Sequence, residues 1–334
     1  MSYKSYFASA ALAASALAAP AMAQEHTLRM STAAPEGTIW QQQFDQFAAN
    51  VAEETGGNVK IEIFYNSQLG TGATVVPQVM RGRVDMGAFA TSEISDQLRD
   101  AYLVNMLFYY DDMDERTCIL NTVFDDYQAL LAPTGMRLLD WSEVGSFQLS
   151  GTQAFTSPEQ LDGLRLGGST NPITNLYWER QGAFPSLVSA AEAASSISTG
   201  LIDVYPTIPV FYMFAGVAQV APVLSTINIG LPPAVIVINQ RVWDGLSAED
   251  QAGIERAKAR NPFTERSAAF YAFENQLFDL HRSKGGTVAV PTAEEAALWR
   301  EGIDEYYAEV LAESSPDGLV FWDKLNAARA ACAE

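Results

Sequence analysis

Residues 161–209 read LDGLRLGGSTNPITNLYWERQGAFPSLVSAAEAASSISTGLIDVYPTIP, and the reading of this stretch decides the fold class. A strand entry leads into a polar Gly/Ser/Thr/Asn loop, then a helical segment, then a second strand–turn–strand passage. A loop of that composition just before a helix offers backbone amides to a polar ligand group. The stretch predicts a binding cleft in an α/β domain. Gly167, Gly168, Ser169, Thr170 and Asn171 are its hydrogen-bonding positions.

Toward the N-terminus, residues 26–31 alternate as a short strand, residues 33–37 break it, and Thr38 reads as a helix N-cap. Trp40, Phe44, Phe47 and Val51 recur at helical spacing, and Gly56-Gly57 ends that helix. Residues 59–65 form a second strand. A β-α-β unit at the start of a chain predicts a parallel sheet with helices on its faces. Residues 66–72 are a turn, a helix runs from there through Arg81, and residues 83–89 are a third strand. The end of that strand, Ala90 to Glu93, falls at a carboxyl edge, where open α/β sheets bind ligands. Gly70-Thr71-Gly72 lacks the third glycine of a dinucleotide fingerprint and reads as a turn.

Between these regions, residues 117–131 read as a helix, and residues 136–141 and 146–149 as strands that carry the chain from a first domain into a second. Toward the C-terminus, Val235 to Ile238 is a continuous β-branched run that suits a buried strand. Ser247, with Asp250 three residues on, resembles a capping box. A long helical pattern runs from there to about Lys284, with Asn261-Pro262 placed to kink or split it. Residues 292–314 read as a final amphipathic helix.

At 334 residues with 48% hydrophobic and 18% charged positions, the chain has the composition of a folded protein long enough for two domains. Lys4, an apolar run over residues 7–19 and Ala21-Met22-Ala23 form an n-region, an h-region and an A-x-A site. Cleavage is expected after Ala23, leaving Gln24 first. The apolar run is too short and too alanine-rich for a stable span, so the mature chain is expected to be soluble and exported to the periplasm. The formal charge is −20, and −21 once Lys4 is removed. So acidic a surface argues against nucleic acid and anionic membranes as partners. Cys118 and Cys332 lie far apart, but an even count in an oxidising compartment predicts a disulfide; two buried free thiols are the alternative.

Enzymatic chemistry is poorly supplied. The only histidines are His26 and His281, too few for a triad or a multi-histidine metal site, so no metal or cofactor is expected. C-x-x-C, H-E-x-x-H, P-loop and G-x-S-x-G motifs do not occur. Carboxylate pairs such as Asp111-Asp112 and Asp125-Asp126 read as solvated faces. Aromatics near predicted loop and strand ends carry more information: Trp40, Phe89, Trp141, Phe147, Tyr205, Phe211 and Tyr212. Any one of them fits core packing; as a set they suggest apolar cleft walls with a few polar anchors. Thr207 adds a hydroxyl at the end of the quoted stretch. Glu36 and Glu93 are positioned to pair with a ligand cation.

Over nearly all of its mature length the chain resembles the solute-binding subunit of a TRAP (tripartite ATP-independent periplasmic) transporter of the DctP type. The matching runs are Asn66-Ser67-Gln68-Leu69-Gly70, Gly82-Arg83-Val84-Asp85-Met86 and Gln160-Leu161-Asp162-Gly163-Leu164-Arg165-Leu166. Thr199-Gly200-Leu201-Ile202-Asp203 and Asn239-Gln240-Arg241-Val242-Trp243, with Leu246 and Gln251, continue the match. No single run is specific; their order and spacing are. The resemblance implies an α/β fold of two periplasmic-binding-protein lobes, a long kinked helix crossing both, and a ligand enclosed between them. It further implies docking onto membrane permease subunits driven by an ion gradient. On this reading residues 24–145 begin lobe I, 146–230 form most of lobe II, 231–260 return to lobe I, and 261–334 hold the shared helix and C-terminal elements.

One departure bears on the ligand. Family members usually read D-L-x-G-L-K-I-R, and the final arginine pairs the ligand carboxylate. Here that position is Gly167, with Arg165 on the family's lysine. A second arginine, often found on the preceding strand, is replaced by Phe147, and the family's G-Q-E-N-like run is altered near Tyr205-Pro206-Thr207. Hydrogen bonds to a charged group contribute ~1.5–3 kcal/mol each, and an unpaired buried carboxylate costs several kcal/mol. The cleft must therefore recruit Arg165, Arg180 or Arg137, or take a ligand without an exposed carboxylate. Arg165 is expected to point out of the site. Aromatic faces attract ammonium groups by ~0.5–2 kcal/mol, which favours a neutral, aromatic or cationic solute. The expected function is a monomeric receptor that closes on a small organic solute and delivers it to a permease. The alternatives are a secreted α/β hydrolase or isomerase on a similar scaffold, and the extracytoplasmic partner of a sensor.

Overall fold

The computed structural model describes residues 26–168, 171–190 and 192–333. The leader, Ser169 and Thr170 lie outside the described residues. The first strand β1 (His26–Thr32), helix Ile39–Glu54 and β2 (Val59–Phe64) form the β-α-β unit that the N-terminal periodicity predicts. β1 pairs in parallel with β2 and with β3 (Met86–Ala90). Trp40, Phe44, Phe47 and Val51 are the buried stripe of the intervening helix. They pack with Met30 and Met86 of the sheet.

The chain continues through helices Met113–Thr122 and Phe124–Leu131 to β4 (Met136–Glu143). Two helices stand where the sequence predicts one, with Val123 between them. β5 (Phe147–Gly151), β6 (Arg165–Gly168), β7 (Phe184–Leu187) and β8 (Val204–Thr207) follow. Next come β9 (Val223–Gly230), β10 (Pro233–Asn239) and the short β11 (Thr287–Ala289). Two sheets result, ordered β2-β1-β3-β10-β4 and β11-β9-β5-β8-β6-β7. Every residue of β10 is buried, as its β-branched run requires for a strand flanked on both sides. β10 runs antiparallel to both β3 and β4.

The main chain passes between the sheets at residues 144–146 and again at 231–232. Behind these crossings lies helix Phe263–Ser283, which touches β4 of one sheet and β11 of the other. Residues 260–262 separate it from helix Ala248–Ala259, so Pro262 splits the long helical pattern. Ser247 Oγ accepts from the Asp250 amide at 3.1 Å and caps the first of the two.

The predicted helix over 292–314 is two helices, Ala293–Leu298 and Ile303–Ala312, and Gly302 between them has a left-handed φ of 72°. A further helix, Pro316–Cys332, follows and was not foreseen. It packs on helix Met113–Thr122, and Cys332 is disulfide-bonded to Cys118 across 214 residues. Closing so long a loop contributes up to ~5 kcal/mol in the chain-entropy model. No helix among the described residues is long and apolar enough to cross a membrane.

Candidate functional site

Two contiguous cavities of about 290 and 470 Å³ occupy the space between the sheets. They share Ser92, Glu93, Phe147, Tyr205, Pro206 and Pro232 as a common wall. The smaller is mainly apolar: Trp40 and Phe44 come from the first helix, Phe89 from β3, and Phe211 from helix Pro209–Phe214. Thr207, at the end of β8, lines it as well. Trp40 is oriented by its indole N–H, which donates to the Glu143 carbonyl at 2.8 Å, and by rings of Phe211 and Phe270 at 5.9 and 5.3 Å.

The larger cavity is lined by Gly167 and Gly168 of β6, by Asn171 with Thr174 and Trp178 of the helix it caps, and by Tyr102 and Asn105 of the short helix Arg99–Asn105. Of the five positions read as a polar loop, Gly167 and Gly168 are instead the end of β6, and they and Asn171 reach the cleft. Asn171 caps helix Pro172–Arg180 by accepting from the Ile173 amide at 2.8 Å, while its Nδ2 donates to Ser95 Oγ at 2.8 Å. Its side chain therefore holds the far wall rather than standing free for a ligand. The Tyr102 and Thr174 hydroxyls, 2.7 Å apart, make a second link across this wall. Burial pushes the Tyr102 and Tyr205 hydroxyls up to about 12, so both are neutral O–H groups.

Trp141, Tyr212 and Glu36, three candidates from the sequence, do not line either cavity. Trp141 is fully buried; β4 turns its ring onto Tyr127 at 4.9 Å, and its N–H donates to the Leu120 carbonyl. Tyr212 points away from the cleft, donating to the Ala221 carbonyl at 2.7 Å beside His281, whereas its neighbour Phe211 faces the cavity. Glu36 sits exposed on the turn after β1 and accepts from the Asn66 amide group. Phe44, Tyr102, Asn105 and Trp178 line the cavities without having been singled out. Phe44 read as core, and the others sit in segments whose facing depends on contacts distant in sequence.

No lysine, arginine or histidine lines either cavity among the described residues, and Ser169 and Thr170 are uncharged by type. The three candidate arginines are engaged elsewhere. Arg165 forks onto Asp203 through Nε at 2.9 Å and Nη2 at 2.6 Å, on the exposed side of β6. Arg180 pairs with Glu309, and Arg137 lies over the Trp243 ring at 4.6 Å. At Gly167 a Cβ would meet the Tyr205 ring at 2.4 Å and Ile202 at 3.0 Å, so Tyr205 fills the space a side chain there would need. Glycine at 167 and tyrosine at 205 are one packing solution.

The carboxylates are Glu93, Asp96 and Glu143. Glu143 is fully buried and forms an ion pair with Arg116, which is fully buried as well. Glu93 is half-buried, and its Oε2 accepts from the Ala90 amide at 3.0 Å. Loss of hydration raises its pKa above the ordinary carboxylate value, and Asp96 adds to the rise. Such a constellation can bind; among the described residues no nucleophile–base pair is assembled in it.

The family model of bacterial extracellular solute-binding protein family 7 matches residues 30–314. A solute-binding protein of Roseobacter denitrificans is 24% identical over 309 residues, 92% of this chain and 93% of that one. The C4-dicarboxylate-binding periplasmic protein DctP of Rhodobacter capsulatus is 23% identical over 312 residues, 88% of this chain and 89% of that one. Among solved structures, a TRAP periplasmic solute-binding protein of Chromohalobacter salexigens with bound D-glucuronate superposes with a TM-score of 0.83. It is 19% identical and covers 90% of this chain and 99% of its own. The alternative of a secreted hydrolase or isomerase finds no support in these matches. The chain belongs to bacterial extracellular solute-binding protein family 7 and is a periplasmic solute-binding protein of the TRAP type.

Proposed function

We propose that this protein, matured by cleavage after Ala23, captures as a monomer a small organic solute with no net negative charge. It closes its two lobes on the solute and presents it to the permease subunits of its transporter. The observation that carries this reading is the cation-free lining of both cavities. Trp40, Phe89, Phe147 and Tyr205 are the walls, and Gly167, Gly168, Thr207 and Glu93 the positions open to polar contact. Ser169 and Thr170 remain proposed contributors. On this reading residues 24–145 and 231–260 make one lobe and 146–230 most of the other, with 261–334 shared. Solute must bind the closed form more tightly than the open one for a permease to sense occupancy.

A second reading takes the solute to be an organic or sugar acid, as in the names of the relatives above. It draws on the start of helix Pro172–Arg180, where Asn171 and Thr174 line the larger cavity. Calorimetric titration with a panel of acids, bases and neutral metabolites decides between the two. The proposal expects no binding of simple dicarboxylates; tight binding of succinate would overturn it in favour of the second reading.

A further inference from the structure

Glu93 stands where the two cavities meet, on the wall common to both. Its known stabilising contacts are backbone amides: Ala90 N–H donates at 3.0 Å, and the Gly72 amide also favours the charged form. It has no ion pair among the described residues, although the same cleft shows what neutralisation looks like. Glu143, which lines the smaller cavity, is matched from behind by Arg116. Asp96, on the larger cavity, adds a second negative charge near Glu93 rather than relief. A guest that dehydrates Glu93 further without bringing a positive charge leaves a carboxylate short of compensation.

On the reading of the cleft given above, we infer that the solute is an organic cation with an apolar or aromatic body. The body sits among Trp40, Phe89, Phe147 and Phe211, and its ammonium group meets Glu93 at the junction of the cavities. Phe147 and Tyr205, on the same shared wall, present π-faces that attract such a group. An anionic guest would face Glu93 and Asp96 and no cation. A neutral guest would satisfy the walls and leave Glu93 unpaired.

The test is calorimetric titration, near neutral pH, of the wild-type protein and Glu93→Gln with phenethylamine, phenethyl alcohol and hydrocinnamate. The same comparison is then made with choline and its uncharged carbon isostere. Glutamine keeps an oxygen for the Ala90 amide, and the unfolding midpoint of the ligand-free variant checks that the fold survives. The inference expects the amine to bind at least ~10-fold more tightly than the alcohol, and Glu93→Gln to weaken amine binding ~10–100-fold while sparing the alcohol. Phe147→Leu, which leaves the carboxylate in place, should narrow the amine-to-alcohol ratio. Equal binding of amine and alcohol, indifference of the amine to Glu93→Gln, or no binding of either cation would overturn the inference and leave the proposed function standing. Tight binding of hydrocinnamate would overturn both.

Discussion

The two sides of the crossings between the sheets treat charge in opposite ways. In front, Val144 and Pro232 of the crossing segments, with Phe147 at the start of β5, help line a cleft without a cation. Behind, Ser146 and Leu231 of the same segments help line a cavity of about 570 Å³ that also holds Glu274, Arg282 and Arg300. Arg116 is buried there too, donating to the Leu231 carbonyl and pairing with Glu143, and Arg266 pairs with Asp140. The neighbours Ser146 and Phe147, and likewise Leu231 and Pro232, line opposite cavities, so one short stretch separates the two environments. The difference shows that cations are not scarce in this chain's interior; they are spent on the frame rather than on the guest.

The largest expected effect breaks the rear face. Arg116→Ala leaves Glu143 buried without its partner and should destabilise the protein by about 3–5 kcal/mol in urea unfolding. Replacing both members by apolar residues should recover much of that loss. A loss below about 1 kcal/mol for the single variant would mean that the pair is not held dry, and the contrast between the faces would weaken.

A smaller effect sharpens the same contrast through pH. Glu274 on helix Phe263–Ser283 is buried and accepts from the Ser146 amide and from Ser146 Oγ at 2.9 Å. Burial pushes its pKa from 4.5 up to about 8; nearby Glu143 also raises it, while Ser146 and Arg116 oppose the rise. The native state therefore holds a proton between those two values that the unfolded chain has released. Stability contributed by this group is present at low pH and declines as pH rises through that window. Glu274→Gln should flatten the stability–pH curve there by at most ~1.4 kcal/mol per pH unit. An unchanged curve would show that the group is ionised in the fold.

The smallest effect is expected on the exposed side of β6. Arg165 is open to solvent and tied to Asp203 away from the cavities. Arg165→Ala should leave solute affinity unchanged within error by titration. A tenfold loss would restore this arginine as an anchor and return the front face to the family's usual chemistry.

Much of the architecture was legible because it rests on local pattern. The helical stripe from Trp40 to Val51, the β-branched run of β10 and the Ser247 cap each need only neighbours in sequence. The Asn171 cap of helix Pro172–Arg180 is likewise local, whereas Gly167 and Gly168, read as loop, are the end of β6. Facing was harder. Phe211 and Tyr212 are adjacent on one turn of helix, and only the packing against His281 decides which of them meets the cavity. Trp141 was unreadable as core because β4 is buried along most of its length, so alternation gives no signal. The pairing of Gly167 with the Tyr205 ring joins residues 38 apart, and nothing in either local pattern announces it.

The central claim is that the cleft offers its guest no positive charge. Native mass spectrometry of the protein released gently from the periplasm, followed by identification of whatever solute it carries, tests this most directly. The account predicts a compound that is neutral or positively charged at neutral pH. A mono- or dicarboxylate held in one-to-one ratio would contradict it.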